Sequence, residues 1–340
     1  MKQKGFFDET DRLRKLSELG DSLEKLNECI KWEDFRKALT KAFKKEANGP
    51  GGRPPFDYVM MFKILVLQKI YNISDDQTEY QINDRLSFQR FIGIQLYDTV
   101  PDAKTIWHYR EVLRNENILE KIFDSFTQKL EQKGIITRSG SIVDATFVNV
   151  PKQRNTKAEN KEIKEGQIPA EWQAEEKRNK LAQKDTDARW MTKNKERHYG
   201  YKNHIKIDKK SKIITRYRVT SAEVHDSQEL KNLIDKKKDR KIYGDSAYTG
   251  KDVQKCIPKK VINRIHEKGY RNRPLTKTQK RNNSEKSRIR ARVEHVFGAM
   301  NHFGRIFIRS IGIQRAEFQI GLMNLVYNLT RYTYLMGAKA

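Results

Sequence analysis

The chain has 340 residues, and 70 Lys plus Arg stand against 44 Asp plus Glu, a formal charge of +26 at pH 7. That balance calls for a polyanionic partner, because each phosphate contacted by Lys or Arg releases condensed counterions. An apolar content of 36% excludes a mere basic tail; Cys29 and Cys256, alone and far apart, exclude a disulfide framework or a Cys-rich zinc site.

No apolar run approaches the roughly 20 residues of a spanning helix, so no membrane partner is expected. Met1-Lys2-Gln3-Lys4 leads into charged, helix-like sequence instead of an apolar signal region, which suits a cytoplasmic protein. The length suggests two domains.

Residues 1–132 read as helical throughout. Asp21 and Glu24 have capping-box spacing, with Leu23, Leu26 and Ile30 following at helical intervals. Phe35, Leu39 and Phe43 repeat the stripe, and residues 48–55 form a turn-rich connector. Residues 59–67 are almost wholly apolar and suit a buried helix; Leu86, Phe88, Phe91 and Ile92 mark another. Pro101-Asp102 is a start signal for a helix carrying Thr105, Trp107, His108, Arg110 and Arg114. Such a helix suits a major groove, and equally a packed helix with a solvated basic face.

After Gly134 the period changes. Residues 141–148 (Ser-Ile-Val-Asp-Ala-Thr-Phe-Val) read as a strand. Residues from about 151 to 200 are a charged insertion, with a helix expected near 171–181 between flexible loops. Strand signals at 204–207 and 213–219 suggest a hairpin, and Asp226 with Glu229 opens a helix containing Leu230 and Leu233. Residues 241–245 read as a strand ending in a carboxylate, followed by a helix near 250–256 and a strand near 260–262. The basic stretch 268–287 is expected as a mobile loop. Residues 288–301 read as a helix burying Ile289, Val293, Phe297 and Met300, and Phe318, Leu322, Leu325, Val326 and Leu329 form a last apolar helix.

Three carboxylates ask for an explanation. Asp144 lies inside an apolar strand, Asp245 ends another, and Glu294 lies beside a buried stripe, on the face of Arg290 four residues earlier. Strand carboxylates are costly to bury unless paired or bound to metal. Phosphodiester transfer gives a reason to keep them: two hard divalent ions roughly 3.5–4 Å apart would reverse the sign of the cluster and meet a phosphate. On spacing alone, Asp144 as a turn-forming residue and Glu294 as a surface partner of Arg290 stay open.

Four stretches carry a family resemblance: Ser141-Ile-Val-Asp-Ala-Thr146; Asp187-Ala-Arg-Trp190 with Tyr199-Gly-Tyr-Lys-Asn-His204; Tyr243-Gly-Asp-Ser-Ala-Tyr248; and Arg290-Ala-Arg-Val-Glu-His-Val-Phe-Gly298. In order and wording the chain resembles bacterial insertion-sequence transposases of the IS-five type, within the Asp-Asp-Glu superfamily on an RNase H-like fold. The resemblance covers nearly the whole chain. It implies a mixed α+β protein: an all-helical DNA-binding and dimerisation domain over 1–132, then an RNase H-like catalytic domain over 133–340, with a mixed central sheet and a basic insertion. It further implies metal-dependent cleavage at transposon ends and strand transfer into target DNA by 3′-hydroxyl attack. Asp144, Asp245 and Glu294 would be both catalytic and metal-binding, holding two Mg²⁺ ions, with Mn²⁺ able to substitute. The partners would be double-stranded DNA, as terminal inverted repeats and target, and a second copy of the chain or more. A bacterial, nucleoid-associated protein follows.

Candidate DNA contacts are Arg288, Arg290 and Arg292 of the basic run, Lys202 beside its strand, and Arg110. Asn301 stands where that family often has Lys and Ser287 where some relatives have Tyr, with Arg305 a candidate substitute. Trp172 and Trp190 are assigned to packing ahead of base stacking, Asp226 to a cap ahead of a fourth metal ligand, Asp187 to a loop or cap, and His225 to structure. Two rival readings are a non-catalytic DNA-binding descendant of a transposase and an RNase H-like nuclease without strand transfer.

Overall fold

The computed structural model describes residues 8–43, 54–193, 195–302 and 306–337. The connector residues 48–53 and Arg305 lie outside them. The chain divides into two compact units, Met1–Phe126 with Leu325–Ala340, and Thr127–Asn324.

The first unit is helical: α1 (Asp8–Glu18), α2 (Ser22–Cys29), α3 (Arg36–Phe43), α4 (Tyr58–Tyr71), α5 (Asp75–Asp84), α6 (Leu86–Ile92), α7 (Ala103–Asn115) and the start of α8 (Ile118–Gln132). Local chemistry sets these boundaries. Asp57 caps α4 by accepting from the Val59 and Met60 amides, and Asn72 closes it in the left-handed region. The apolar run of α4 is buried nearly all round. Trp32 packs edge-on against Phe35, Phe62 and Phe91. Asp102 caps α7, accepting from the Thr105 amide at 2.6 Å. Asp21 caps α2, but Glu24 does not reach back as a capping box would. It accepts instead from Arg90 at 3.0 Å, beside the 2.6 Å Arg90–Asp21 pair.

The second unit is a mixed sheet with helices. Its strands are β1 (Ser141–Asn149), β2 (Arg189–Lys193), β3 (Glu196–Asp208), β4 (Ile214–Ser221), β5 (Lys241–Gly244) and β6 (Ile262–Ile265). β3 is long enough to pair β2 with its first residues and β4 with the rest, while β1 runs antiparallel along its other edge. β5 lies parallel to β1 and β6 parallel to β5. Without β2 the order is β4-β3-β1-β5-β6, three antiparallel strands then two parallel ones, the arrangement of an RNase H-like sheet. The parallel strands are reached by α12 (Leu230–Leu233) and α13 (Lys251–Cys256), as parallel pairing demands a crossover. One face buries Val143, Leu230, Leu233, Ile242, Tyr248, Val261 and Ile265.

The expected hairpin is thus present, with β3 beginning eight residues earlier than its apolar signal. Gly200 marks that hidden half: at φ +145°, a Cβ there would meet the Val148 carbonyl oxygen. The insertion holds not one helix but α9 (Lys157–Lys164), α10 (Ala170–Gln173) and α11 (Arg178–Ala182). They close over Trp172, which is fully buried and donates from Nε1 to Glu159 at 2.7 Å, while Glu159 also completes the capping box of α9. The larger departure lies at residues 268–287. Here the chain forms α14 (Lys277–Arg290), started by a capping box between Thr276 and Gln279. It is followed by α15 (Arg292–Asn301) and α16 (Ile313–Gly337). Among the described residues no helix is long and apolar enough to cross a membrane.

Beneath the sheet lies a buried ion pair. Lys206 Nζ meets Asp239 at 2.8 Å with side chains 1% and 0% exposed, and Ser141 and the Asp235 amide also donate to Asp239. Removing one partner leaves the other charge buried and unanswered. Asp239→Ala is expected to lower unfolding free energy by about 3–5 kcal/mol in urea titrations, while Lys206→Met with Asp239→Leu costs much less.

Candidate active site

β1 and β5 bring two carboxylates level. Ile142 pairs with Tyr243 in parallel register, so two residues further along, Asp144 stands beside Asp245. Asp144 is buried within β1; its Oδ1 accepts from the Ala145 amide and its Oδ2 from Arg290 Nη1 at 2.6 Å. Asp245 follows the last residue of β5 and caps a short 3-10 turn, Ser246–Tyr248, by accepting from the Ala247 amide. Glu294 lies in the first turn of α15, which packs on β1, with its side chain largely exposed.

The helix expected over 288–301 is two helices that part at Ala291. Val293, Val296 and Met300 are buried, whereas Ile289 and Phe297 are only half-buried. Arg290 ends α14 and spans the break, its Nη1 lying 2.6 Å from Asp144 and 3.5 Å from Glu294. Burial pushes the Asp144 carboxyl up to about 6, against the pull of Arg290, with Asp245 and Glu294 adding repulsion.

Among the described residues no three His, Cys, Asp or Glu side chains are already arranged to hold a metal ion. The donor chemistry nevertheless fits one. The three carboxylates are hard oxygen donors, one guanidinium leaves them with excess negative charge, and the unfavourable ionisation of Asp144 is what a divalent cation relieves.

The other expected residues divide. Arg288 and Arg292 are exposed, and Arg292 donates to the Lys209 carbonyl at 2.7 Å. Lys202 departs from the expected phosphate contact. It is 5% exposed, and its ammonium is used by the Val224 carbonyl, Asp226 at 2.9 Å and the Phe147 ring. Arg110 departs likewise: it forms a two-pronged pair with Asp75 at 2.6 and 2.7 Å, so α7 does not offer it to a groove. The cap on the turn after β4 is His225, not Asp226. Asp187 accepts from the Ile313 amide at the start of α16. Trp190 is 42% exposed, tilted against Tyr199. Asn301 is exposed at the end of α15, and Ser287 lies 3.3 Å from His266 Nε2.

Sequence reasoning missed α14, although Thr276 and Gln279 have capping-box spacing, and missed Asp185. That buried carboxylate accepts from the Tyr201 hydroxyl and the Asp187 and Ala188 amides; no local pattern marks it.

Residues 136–329 match the family described as Transposase DDE domain, and residues 11–112 match a Transposase domain (DUF772). Among solved structures, the cryo-EM structure of the piggyBac transposase synaptic complex with hairpin DNA is similar at 12% identity. Its TM-score is 0.46, over 94% of this chain and 76% of that one. Likeness at that level carries no residue correspondence. The chain belongs to the DDE transposase family. It is accordingly a DNA transposase, an enzyme whose family depends on a divalent metal.

His204 supplies a pH-dependent stability term. Burial lowers its imidazole to about 4, opposed by Asp226 and Glu229 and aided by Lys202. Between about pH 6.5 and 4 the unfolded chain binds a proton that the folded chain refuses. This stability is therefore complete above about 6.5 and lost as pH falls toward 4, by up to about 3 kcal/mol. His204→Asn is expected to flatten that decline in urea midpoints compared at pH 7 and pH 4.5.

Proposed function

We propose that Asp144, Asp245 and Glu294 form the metal-binding catalytic site of an insertion-sequence transposase of the IS-five type, acting on terminal inverted repeats and target DNA. The observation that carries this reading is the convergence of the three carboxylates from β1, β5 and α15 around a buried Asp144. Two Mg²⁺ ions, replaceable by Mn²⁺, would supply activation of the attacking oxygen and stabilisation of the leaving one. Asp144 on β1 and Asp245 just after the adjacent β5 hold the shared side of the site, and Glu294 completes it from the helix. The chemistry is attack on a scissile phosphate by water, then on target DNA by the freed 3′-hydroxyl. No covalent protein–DNA bond is involved.

α14 is the proposed DNA track. Lys277, Lys280, Arg281, Lys286, Arg288 and Arg290 share its 14 residues with one acid, Glu285, and none of its residues is buried. Its charge is almost all of one sign, which suits a phosphate backbone, and it runs into the carboxylate site at Arg290. Residues 1–132 are assigned to binding transposon ends and to subunit contact, within a homodimer or larger synaptic assembly that holds two ends at once.

The test is strand transfer with purified protein, Mg²⁺, the DNA ends flanking its gene and a supercoiled target. Wild type is expected to yield joined product. Asp144→Asn and Glu294→Gln should lose more than the roughly 10–100-fold that follows from disturbing a metal site's outer shell. Cleavage without joining would indicate a nuclease, and binding without either a DNA-binding descendant. Replacing Lys280 and Arg288 together with Gln should weaken duplex binding uniformly across sequences. It should also flatten log K against log [salt] by about 0.9 for each phosphate that the variant no longer neutralises.

A further inference from the structure

The site's positive charge is contributed by a residue that is weakly anchored. α15 is fixed to the sheet by buried Val293, Val296 and Met300, and so is Glu294 on its first turn. No residue of α14 is fully buried. Its tethers are polar: Asn283 exchanges hydrogen bonds with the Glu267 backbone, and Lys286 donates to the Ile265 carbonyl and Glu267. Moving α14 costs chiefly polar interactions that water can replace and the half-burial of Ile289, whereas moving α15 would expose core. The two helices part at Ala291, so the second can stay while the first shifts.

Arg290 is also poorly satisfied where it sits. Among the described residues it meets Asp144 through one nitrogen only, and its Nε is buried without a hydrogen-bond partner. A guanidinium prefers two parallel bonds to one carboxylate or phosphate. Meanwhile it occupies Asp144 Oδ2, while the Ala145 amide occupies Oδ1. Each oxygen keeps a lone pair, but a guanidinium 2.6 Å from Oδ2 sets a positive charge where a divalent cation would approach.

We propose that Arg290 is a displaceable counter-cation that closes the carboxylate site to divalent metal until a DNA phosphate on α14 draws it away from Asp144. Metal and DNA then bind cooperatively, each raising the other's affinity by the same factor. The inference rests on the assignment of Asp144, Asp245 and Glu294 as the metal site.

The test is a Mn²⁺ titration of the full chain, reading free Mn²⁺ by electron paramagnetic resonance, with and without an uncleavable duplex of the transposon end. Wild type should bind Mn²⁺ about tenfold more tightly with DNA, within the usual range of coupling. Arg290→Gln should bind it about tenfold more tightly than wild type without DNA, and gain little when DNA is added. Arg290→Met, which keeps the length of the stem, serves the same purpose if the Gln variant misfolds by circular dichroism. Unchanged or weaker DNA-free affinity in the folded variant, or undiminished coupling, would overturn the inference. Asp144→Asn separates the two claims: if, with the duplex present, it binds Mn²⁺ like wild type, the metal-site assignment itself fails.

Discussion

A carboxylate inside a central β-strand must be answered by positive charge, and the arrangement around Asp144 follows from that requirement. Burial makes its ionisation unfavourable, and Asp245 and Glu294 make it worse. Arg290 is the answer within the chain. It reaches Asp144 from the last residue of α14 and lies one helical turn before Glu294. The break at Ala291, the approach of α15 to β1 and the parallel register of β1 and β5 all serve one point in the fold.

The same point divides the basic charge of the molecule into two kinds. Lys206, Lys202 and Arg110 neutralise buried or half-buried acids and hold structure together. The cations of α14 lie on a helix with no fully buried residue. A formal charge of +26 therefore overstates what DNA can meet. On the proposed reading, what meets a phosphate backbone is the α14 track leading to the carboxylates, since phosphate contacts position the protein without reading sequence.

Much of this was legible in the sequence, for physical reasons. Asp144 stood out because a charge amid Ile142, Val143 and Ala145 breaks the pattern of a buried strand. Asp245 and Glu294 were visible as the end of an apolar run and the neighbour of an apolar stripe. α14 was not visible, because helix detection leans on apolar periodicity and this helix has none; its capping box was the only local sign. Lys202 and Arg110 were misjudged because a cation's burial depends on partners far along the chain, 24 residues away at Asp226 and 35 at Asp75. The early start of β3 was hidden by Glu196, Arg197 and His198, polar residues paired with β2 at the open end of the sheet.

The proposed site stands only if these carboxylates bind the ions of the reaction, and a change of ligand softness probes that binding. Asp245→Cys replaces a hard oxygen with a thiolate, which Mg²⁺ ligates poorly and Mn²⁺ tolerates better. Strand transfer by this variant should be absent in Mg²⁺ and partly restored in Mn²⁺, with wild type joining in both. Joining at the wild-type level in Mg²⁺ would contradict the claim, because Asp245 would then hold no ion that the chemistry needs.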